Sequence, residues 1–127
     1  MPKAFTLIEL LIVIALLGIL STIGVVSFTG HIATTHKKKA EVTINSLYLA
    51  QSEYQSNNSE YCINECNSTA KIVNNLLDGV DNLSEQKYNF TISGNTNSQT
   101  FTIQARHQTS GCTLKLTEKS KFNESGC

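Results

Sequence analysis

The sequence predicts an α+β protein in which one long N-terminal helix packs on a small antiparallel sheet of three to four strands. Three observations predict this class. An almost uninterrupted apolar run covers residues 5–28. Apolar residues at helical spacing continue to about residue 57 without a proline. Three later segments alternate apolar and polar side chains, as half-buried strands do.

The apolar run FTLIELLIVIALLGILSTIGVVSF is long enough for a transmembrane helix. About 24 residues at 1.5 Å each span a hydrocarbon core of about 30 Å. A cleaved secretory signal has an apolar region of about 7–15 residues followed by an A-x-A-like site; this run is longer and has no such site. Glu9 is its only charged residue. An intramembrane carboxylate is costly without a partner, so Glu9 is a candidate functional residue.

The helix is expected to continue through residues 29–57 as an amphipathic segment. Ile44, Leu47, Tyr48 and Tyr54 recur at offsets near three, four and seven, which places them on one face. This apolar stripe is expected to cover the sheet.

Residues 58–127 are expected to form the globular part. A loop region leads to a short helix near residues 70–77, closed by Asp78 and Gly79. Strands are predicted over residues 87–93, 100–106 and 112–118, joined by the hairpin signals SGNTNSQ and HQTSG. The tail KSKFNESGC is predicted to be a surface loop. The side chains that alternation places on one face are Tyr88, Phe90, Ile92, Phe101, Ile103, Ala105, Cys112, Leu114 and Leu116.

All four cysteines lie in the globular part, which indicates an oxidising compartment. Four cysteines allow three pairings, and closeness in sequence favours Cys112 with Cys127 and Cys62 with Cys66. The first bridge would stabilise the domain by about 3 kcal/mol in the chain-entropy model. The second requires a turn, because residues four apart on a regular helix hold their Cβ atoms too far apart. A four-cysteine zinc site lacks the usual C-x2-C pairs, so no metal or cofactor is predicted.

The N-terminal residues AFTLIELLIVIALLGIL resemble the N-terminus of type IV pilins and the related pseudopilins. The shared pattern is a short leader with a basic residue, a cleavage site before Phe, then T-L-I-E-L and about twenty apolar residues. The resemblance covers about the first 30 residues, and the rest of the chain matches the class in layout: a long helix followed by a sheet. It implies the type IV pilin fold.

The resemblance also implies how the N-terminus is processed. A prepilin peptidase and methyltransferase would remove the leader, residues 1–4, by cutting between Ala4 and Phe5, and would N-methylate Phe5. Glu9 would then pair with the free amine of Phe5 on a neighbouring subunit. In an apolar bundle neither charge is tolerated alone, so this pair would set the register of assembly.

The implied protein is a structural subunit of a type IV pilus with roles in adhesion, motility or DNA uptake, and no enzyme. Before assembly it would cross the inner membrane once with its N-terminus in the cytoplasm. An assembly platform and an ATPase motor would then extract it into an extracellular homopolymer. Lys37, Lys38 and Lys39 follow the apolar run while Lys3 alone precedes it, so the positive-inside rule favours the opposite orientation. The cleavage motif and the cysteines outweigh that rule.

Three alternatives stay open. The first is a type II secretion pseudopilin, although such proteins typically bind calcium in a C-terminal loop that here has one acid, Glu124. The chain is also compatible with a minor pilin that acts as an adhesin or DNA receptor. The third alternative is an unprocessed membrane-anchored module.

Charge gives no global indication of a nucleic-acid partner, since ten basic residues balance ten acidic ones. A local basic surplus after residue 100 can contact phosphates, although a solvated surface is the ordinary interpretation. Its members are Arg106, Lys115, Lys119 and Lys121, against Glu118 and Glu124, with Phe122 beside them.

No catalytic site is predicted. His31, His36 and His107 have no nucleophile or metal spacing and are interpreted as solvated. Glu60 and Glu65 lack a supporting group for acid–base chemistry.

Overall fold

The computed structural model of the protein describes residues 3–127, except for the side chains of Val26 and Thr29. Its architecture is a long helix, α1 (Leu7–Asn58), followed by a four-stranded antiparallel sheet. The chain divides into two compact units, one ending at Thr35 and the other covering His36–Cys127. Of the predicted leader, Met1 and Pro2 lie outside the described residues.

The first unit contains the apolar part of α1. By length and composition this helix can cross a membrane. Its apolar side chains are exposed, whereas its hydroxyls bond to the helix itself: Ser21 donates to the Leu17 carbonyl at 2.6 Å and Thr22 to the Ile19 carbonyl at 2.7 Å. Such internal bonds satisfy polar groups where no water is available.

Two short helical segments follow α1 in the second unit. The segment Asn64–Cys66 is a 3₁₀ turn, and α2 covers Thr69–Asn75. Ser68 caps α2, because its side chain accepts a hydrogen bond from the Lys71 N–H at 3.3 Å. The helix was predicted to reach residue 77. It ends earlier because Asp78 and Gly79 adopt left-handed conformations and the Gly79 N–H returns to the Val73 carbonyl at 2.8 Å.

The sheet has strand order β1-β2-β3-β4. The three predicted strands are present with shifted ends, as β1 (Tyr88–Asn95), β2 (Thr100–His107) and β3 (Thr113–Thr117). The prediction of a loop for the tail was wrong, because β4 (Phe122–Ser125) pairs with β3. A turn at Ser120, which has a φ of 60°, brings β4 back along β3.

The core lies between the inner face of the sheet and one stripe of α1. Every side chain that alternation placed on the inner face is buried. Ile44 and Leu47 of the predicted stripe are buried as well, and Tyr48 and Tyr54 pack at its border. Gln51 is fully buried on the same stripe, where the sequence pattern predicted no core residue.

Candidate nucleic-acid interface on the sheet

The outer face of the sheet, on the opposite side from the core, is polar and positively charged. Its two charged residues among those described are Arg106 on β2 and Lys115 on β3. Both are exposed, and Arg106 pairs with Thr113, two residues before Lys115. The outward side chains are Asn89, Thr91, Ser93, Asn95, Thr100, Thr102, Gln104, Arg106, Thr113, Lys115, Thr117, Asn123 and Ser125.

The acid Glu124, which sequence order groups with this basic surplus, is not on the outer face. It pairs with Leu114, an inward-facing core residue, so its side chain points to the inner side. There its carboxylate accepts a hydrogen bond from the Lys37 ammonium at 2.6 Å. This bond raises the pKa of Lys37 above its ordinary value. The charges of Lys37 and Glu124 therefore neutralise each other on the inner side, and the outer face keeps its positive charge.

Amide side chains flank the two cations. Gln104 on β2 lies directly between Thr91 on β1 and Lys115 on β3, and Asn123 on β4 follows in the same row. Asn89 lies beside Arg106 in the adjacent row. An amide offers both a donor and an acceptor, so these rows combine hydrogen-bonding groups with fixed positive charge.

A groove of about 470 Å³ opens on this face at the end where β2 and β3 connect. We call it the sheet groove. The β2–β3 loop, residues 108–112, contributes Gln108, Thr109 and Gly111 to one wall, and Gln104 and Arg106 of β2 also line the groove. Its lining residues are Asn89, Thr91, Gln104, Arg106, His107, Gln108, Thr109 and Gly111.

His107 holds the wall in place. Its Nδ1 accepts hydrogen bonds from the backbone N–H groups of Thr109, at 3.2 Å, and Ser110, at 3.0 Å. The Gln108 N–H also donates to the Lys87 carbonyl at 3.0 Å. His107 was interpreted as a solvated histidine; its side chain is partly exposed and in addition bonds to the loop. Periodicity could not identify it, because these contacts are local to a turn.

A disulfide anchors the loop where it meets β3. The structure joins Cys112 to Cys127 and Cys62 to Cys66, with Cα atoms 4.5 Å and 5.6 Å apart. These are the two pairs that closeness in sequence favoured. The Cys62–Cys66 bridge closes across the 3₁₀ turn rather than across a regular helix. The Cys112–Cys127 bridge fixes the end of the tail against the start of β3.

The predicted residues of the N-terminal site lie in the other unit. Ala4 and Phe5 precede α1, outside regular secondary structure. The Thr6 N–H donates to the Glu9 carboxylate at 2.8 Å, and the Glu9 N–H donates to Thr6 Oγ1 at 3.3 Å. This reciprocal pair is a capping box. Sequence reasoning selected Glu9 for its charge and missed the T-x-x-E pattern that gives it a partner within its own chain.

The remaining candidates form no site of their own. Glu60 and Glu65 line a cavity of about 280 Å³ together with Tyr54 and Tyr61. Within residues 3–127 there is no group of three or more His, Cys, Asp or Glu side chains that could hold a metal ion.

Comparison with known protein families covers nearly the whole chain. Residues 2–25 match the family model described as the prokaryotic N-terminal methylation motif. Residues 26–117, more than half of the chain, match the model described as "Type IV minor pilin ComP, DNA uptake sequence receptor". The chain belongs to this type IV pilin family. Searches of curated proteins and of solved structures gave no match.

This pilin is a subunit of a type IV pilus, and the long helix over an antiparallel sheet is the type IV pilin fold. Its methylation motif and apolar helix belong to a membrane-anchored precursor that becomes part of an extracellular pilus. The family assembles with other pilins and is processed by a prepilin peptidase. Pilins are structural proteins rather than enzymes.

Proposed function

We propose that this pilin is a minor subunit that binds double-stranded DNA through the outer face of its sheet, as a receptor for DNA uptake. The observation that carries the proposal is the charge of that face: Arg106 and Lys115 lie there without a carboxylate among its described residues. The family description names a DNA uptake sequence receptor, and the proposal extends that role to this chain.

Phosphate contacts would supply most of the affinity. Arg106 and Lys115 are diagonal neighbours on adjacent strands, a spacing of about 7–8 Å in that arrangement. The turn between β3 and β4 carries Lys119 and Lys121 against Glu118, so it adds one net positive charge beyond the strands. Contacts of cationic side chains to phosphates release counterions, so binding must weaken as salt rises.

Amide contacts would supply the sequence preference. Asn and Gln side chains form paired hydrogen bonds to the N6 and N7 atoms of adenine in the major groove. Gln104 and Asn89 lie in the sheet groove next to Arg106, where a base edge held by phosphate contacts would meet them. Phosphate contacts then fix the position of the duplex, and amide contacts select the sequence.

The test measures DNA binding by the full chain in detergent, by fluorescence anisotropy with genomic duplexes of the source cell and with shuffled duplexes. The double variant Arg106→Gln/Lys115→Gln is expected to lose at least tenfold in affinity at 0.1 M salt. Lys71→Gln, on α2 and outside the sheet, is the matched control and should bind as the unmodified chain does. Equal affinity of the double variant and the control would reject the proposal.

We propose for the N-terminus that the peptidase cuts between Ala4 and Phe5, that Phe5 is N-methylated, and that Glu9 pairs with the Phe5 amine of a neighbouring subunit. The residues before Leu7 lie outside the helix, which supports access to the bond. An ATPase motor and an inner-membrane platform would then drive extraction of the helix, with the N-terminus on the cytoplasmic side. Intact mass and N-terminal sequencing of the native protein test the cleavage and the methyl group together.

A further inference from the structure

We propose that His107 is a positioning residue for the sheet groove: its neutral ring holds the β2–β3 loop as the groove wall, and protonation of the ring releases the wall and weakens DNA binding. The part that concerns DNA rests on the function proposed above. The part that concerns the loop stands on the geometry of His107 alone.

The hydrogen bonds determine which nitrogen of the ring carries the proton. Backbone N–H groups can only donate, and those of Thr109 and Ser110 both point at Nδ1. The Thr109 hydroxyl also lies 3.2 Å from the same atom. Nδ1 must therefore be the unprotonated acceptor, and in the neutral ring the proton is on Nε2.

Protonation would remove this acceptor. An imidazolium ring carries a proton on both nitrogens and can only donate. The N–H groups of Thr109 and Ser110 would then face an N–H and lose their partner on the ring. The loop would keep its two ends, because the His107 N–H donates to the Cys112 carbonyl at 2.7 Å and the Gln108 N–H donates to the Lys87 carbonyl. The segment between those ends is the wall of the groove.

Several titratable and charged groups lie around the ring of His107. On β1 the Tyr88 ring meets the imidazole edge-on with centroids 5.0 Å apart, and Lys87 precedes it. Arg106 precedes His107 on its own strand. Burial raises the pKa of Tyr88. The Lys37 ammonium of α1 lowers it, and the carboxylates of Glu41 on α1 and Glu124 on β4 raise it. The Cys112–Cys127 disulfide on the β3 side does not titrate. Histidine is the side chain that ordinarily titrates between about pH 5 and 8.

Charge alone predicts the opposite effect on DNA. A protonated His107 follows Arg106 in the chain but lies on the side of β2 that Tyr88 faces. The added positive charge would still favour phosphate binding as pH falls. Loss of the groove wall should weaken binding instead. The direction of the pH effect therefore separates a positioning role from a purely electrostatic one.

The experiment compares the full chain with His107→Asn and His107→Ala in detergent at pH 7.5 and pH 5.5. The Asn side chain places an oxygen acceptor near the position of Nδ1 and does not ionise, whereas Ala removes the acceptor. His36→Asn, a histidine of α1 outside the groove, is the control. The readouts are amide-exchange protection factors of Thr109 and Ser110, corrected for intrinsic exchange, and affinity for duplex DNA.

The unmodified chain and His36→Asn are expected to lose about tenfold in protection at both amides, and a similar factor in DNA affinity, on going to pH 5.5. His107→Asn should keep the amide protection and the DNA affinity at either pH. His107→Ala should lack the protection and the affinity at either pH. Near-UV circular dichroism of each variant checks that the core is folded.

Three results would overturn the positioning role: protection that does not change with pH, a DNA affinity that rises at pH 5.5, or a His107→Asn variant that titrates as the unmodified chain does. If no variant binds DNA while the protection factors behave as expected, the proposed DNA function fails and the role of His107 in holding the loop stands.

Discussion

Gln51 and Cys62 are joined by two hydrogen bonds. The Gln51 Nε2 donates to the Cys62 carbonyl at 2.6 Å, and the Cys62 N–H donates to the Gln51 Oε1 at 2.9 Å. Both residues are buried, and the Gln51 amide satisfies the Cys62 N–H and carbonyl in the way that the backbone of a neighbouring strand would. This pair fastens the disulfide loop to the helix at a point where water cannot replace either bond.

Substitution Gln51→Leu is expected to destabilise the second unit by about 2–4 kcal/mol. The leucine fills the space but leaves a buried N–H and a buried carbonyl unsatisfied, and each such loss costs about 1–3 kcal/mol. Urea unfolding of the full chain in detergent, followed by near-UV circular dichroism, measures the change. Ser52→Ala, its exposed neighbour, should stay within about 0.5 kcal/mol of the unmodified chain. Equal stability of the two variants would show that the pair contributes little.

Gly94→Ala is expected to disrupt the β1–β2 hairpin. A Cβ on Gly94 would lie 2.0 Å from the Thr100 carbonyl oxygen and 2.7 Å from the Phe101 Cα, so backbone must move. Gly79→Ala is the matched control: its φ of +82° is equally unsuited to alanine, yet a Cβ there meets no atom within 4 Å. The control should lose about 1–2 kcal/mol, the cost of a Cβ in the left-handed conformation. Gly94→Ala should lose several times more in the same unfolding assay, and similar losses would argue against this close approach.

The sequence predicted those elements in which the repeat of apolar residues extends over enough positions to be detected. Alternation assigned the inner face of three strands correctly, because a strand with one buried face must repeat every two residues. The four residues of β4 gave too short a pattern, and their pairing depends on the turn at Ser120 and the bridge to Cys127. Gln51 was missed because its burial depends on a loop eleven residues away rather than on its own polarity.

The candidate interface was predictable in composition but not in arrangement. The sequence supplied Arg106 and Lys115 and counted Glu124 against them. Only the pairing of β3 with β4 shows that Glu124 faces Lys37 on the other side of the sheet. Because β4 was not predicted, the sequence could not show on which face of the sheet Glu124 lies.

The Lys37–Glu124 ion pair predicts a pH dependence of stability. The bond to Glu124 raises the pKa of Lys37 in the folded chain above its ordinary value of 10.5. The contribution of the ion pair to folding stability is therefore fully present below the pKa of Lys37 in the unfolded chain. It is lost as pH rises through the pKa of Lys37 in the folded chain. The stability difference between the unmodified chain and Lys37→Met should be constant near pH 7 and shrink above about pH 10.5.

Lys39→Met, also exposed on α1, is the control for that series and should show no such change with pH. The contribution of the pair should also fall at 1 M salt, since both groups are partly exposed. A Lys37→Met difference that persists unchanged at high pH would show that it arises from packing of the side-chain stem.

The salt dependence of DNA binding should distinguish phosphate contacts from base contacts. Arg106→Gln and Lys115→Gln are each expected to reduce the slope of log affinity against log salt by about one, and to weaken all duplexes alike. Gln104→Ala should leave the slope unchanged and reduce the preference for genomic over shuffled duplexes. An unchanged slope in both cation variants would place the phosphate contacts elsewhere on the protein.

The cap role of Glu9 can be separated from the assembly role proposed for it. Thr6→Ala removes the hydroxyl that accepts from the Glu9 N–H but keeps the carboxylate, whereas Glu9→Gln keeps the cap geometry and removes the charge. If pairing with the Phe5 amine of a neighbour sets the register, Glu9→Gln should be cleaved yet enter filaments at least tenfold less, and Thr6→Ala should assemble normally. The measurement is the amount of each processed chain in sheared pili relative to membranes. Assembly that fails in Thr6→Ala and proceeds in Glu9→Gln would assign the importance of Glu9 to helix capping, because the charge would then be dispensable while the start of α1 would not.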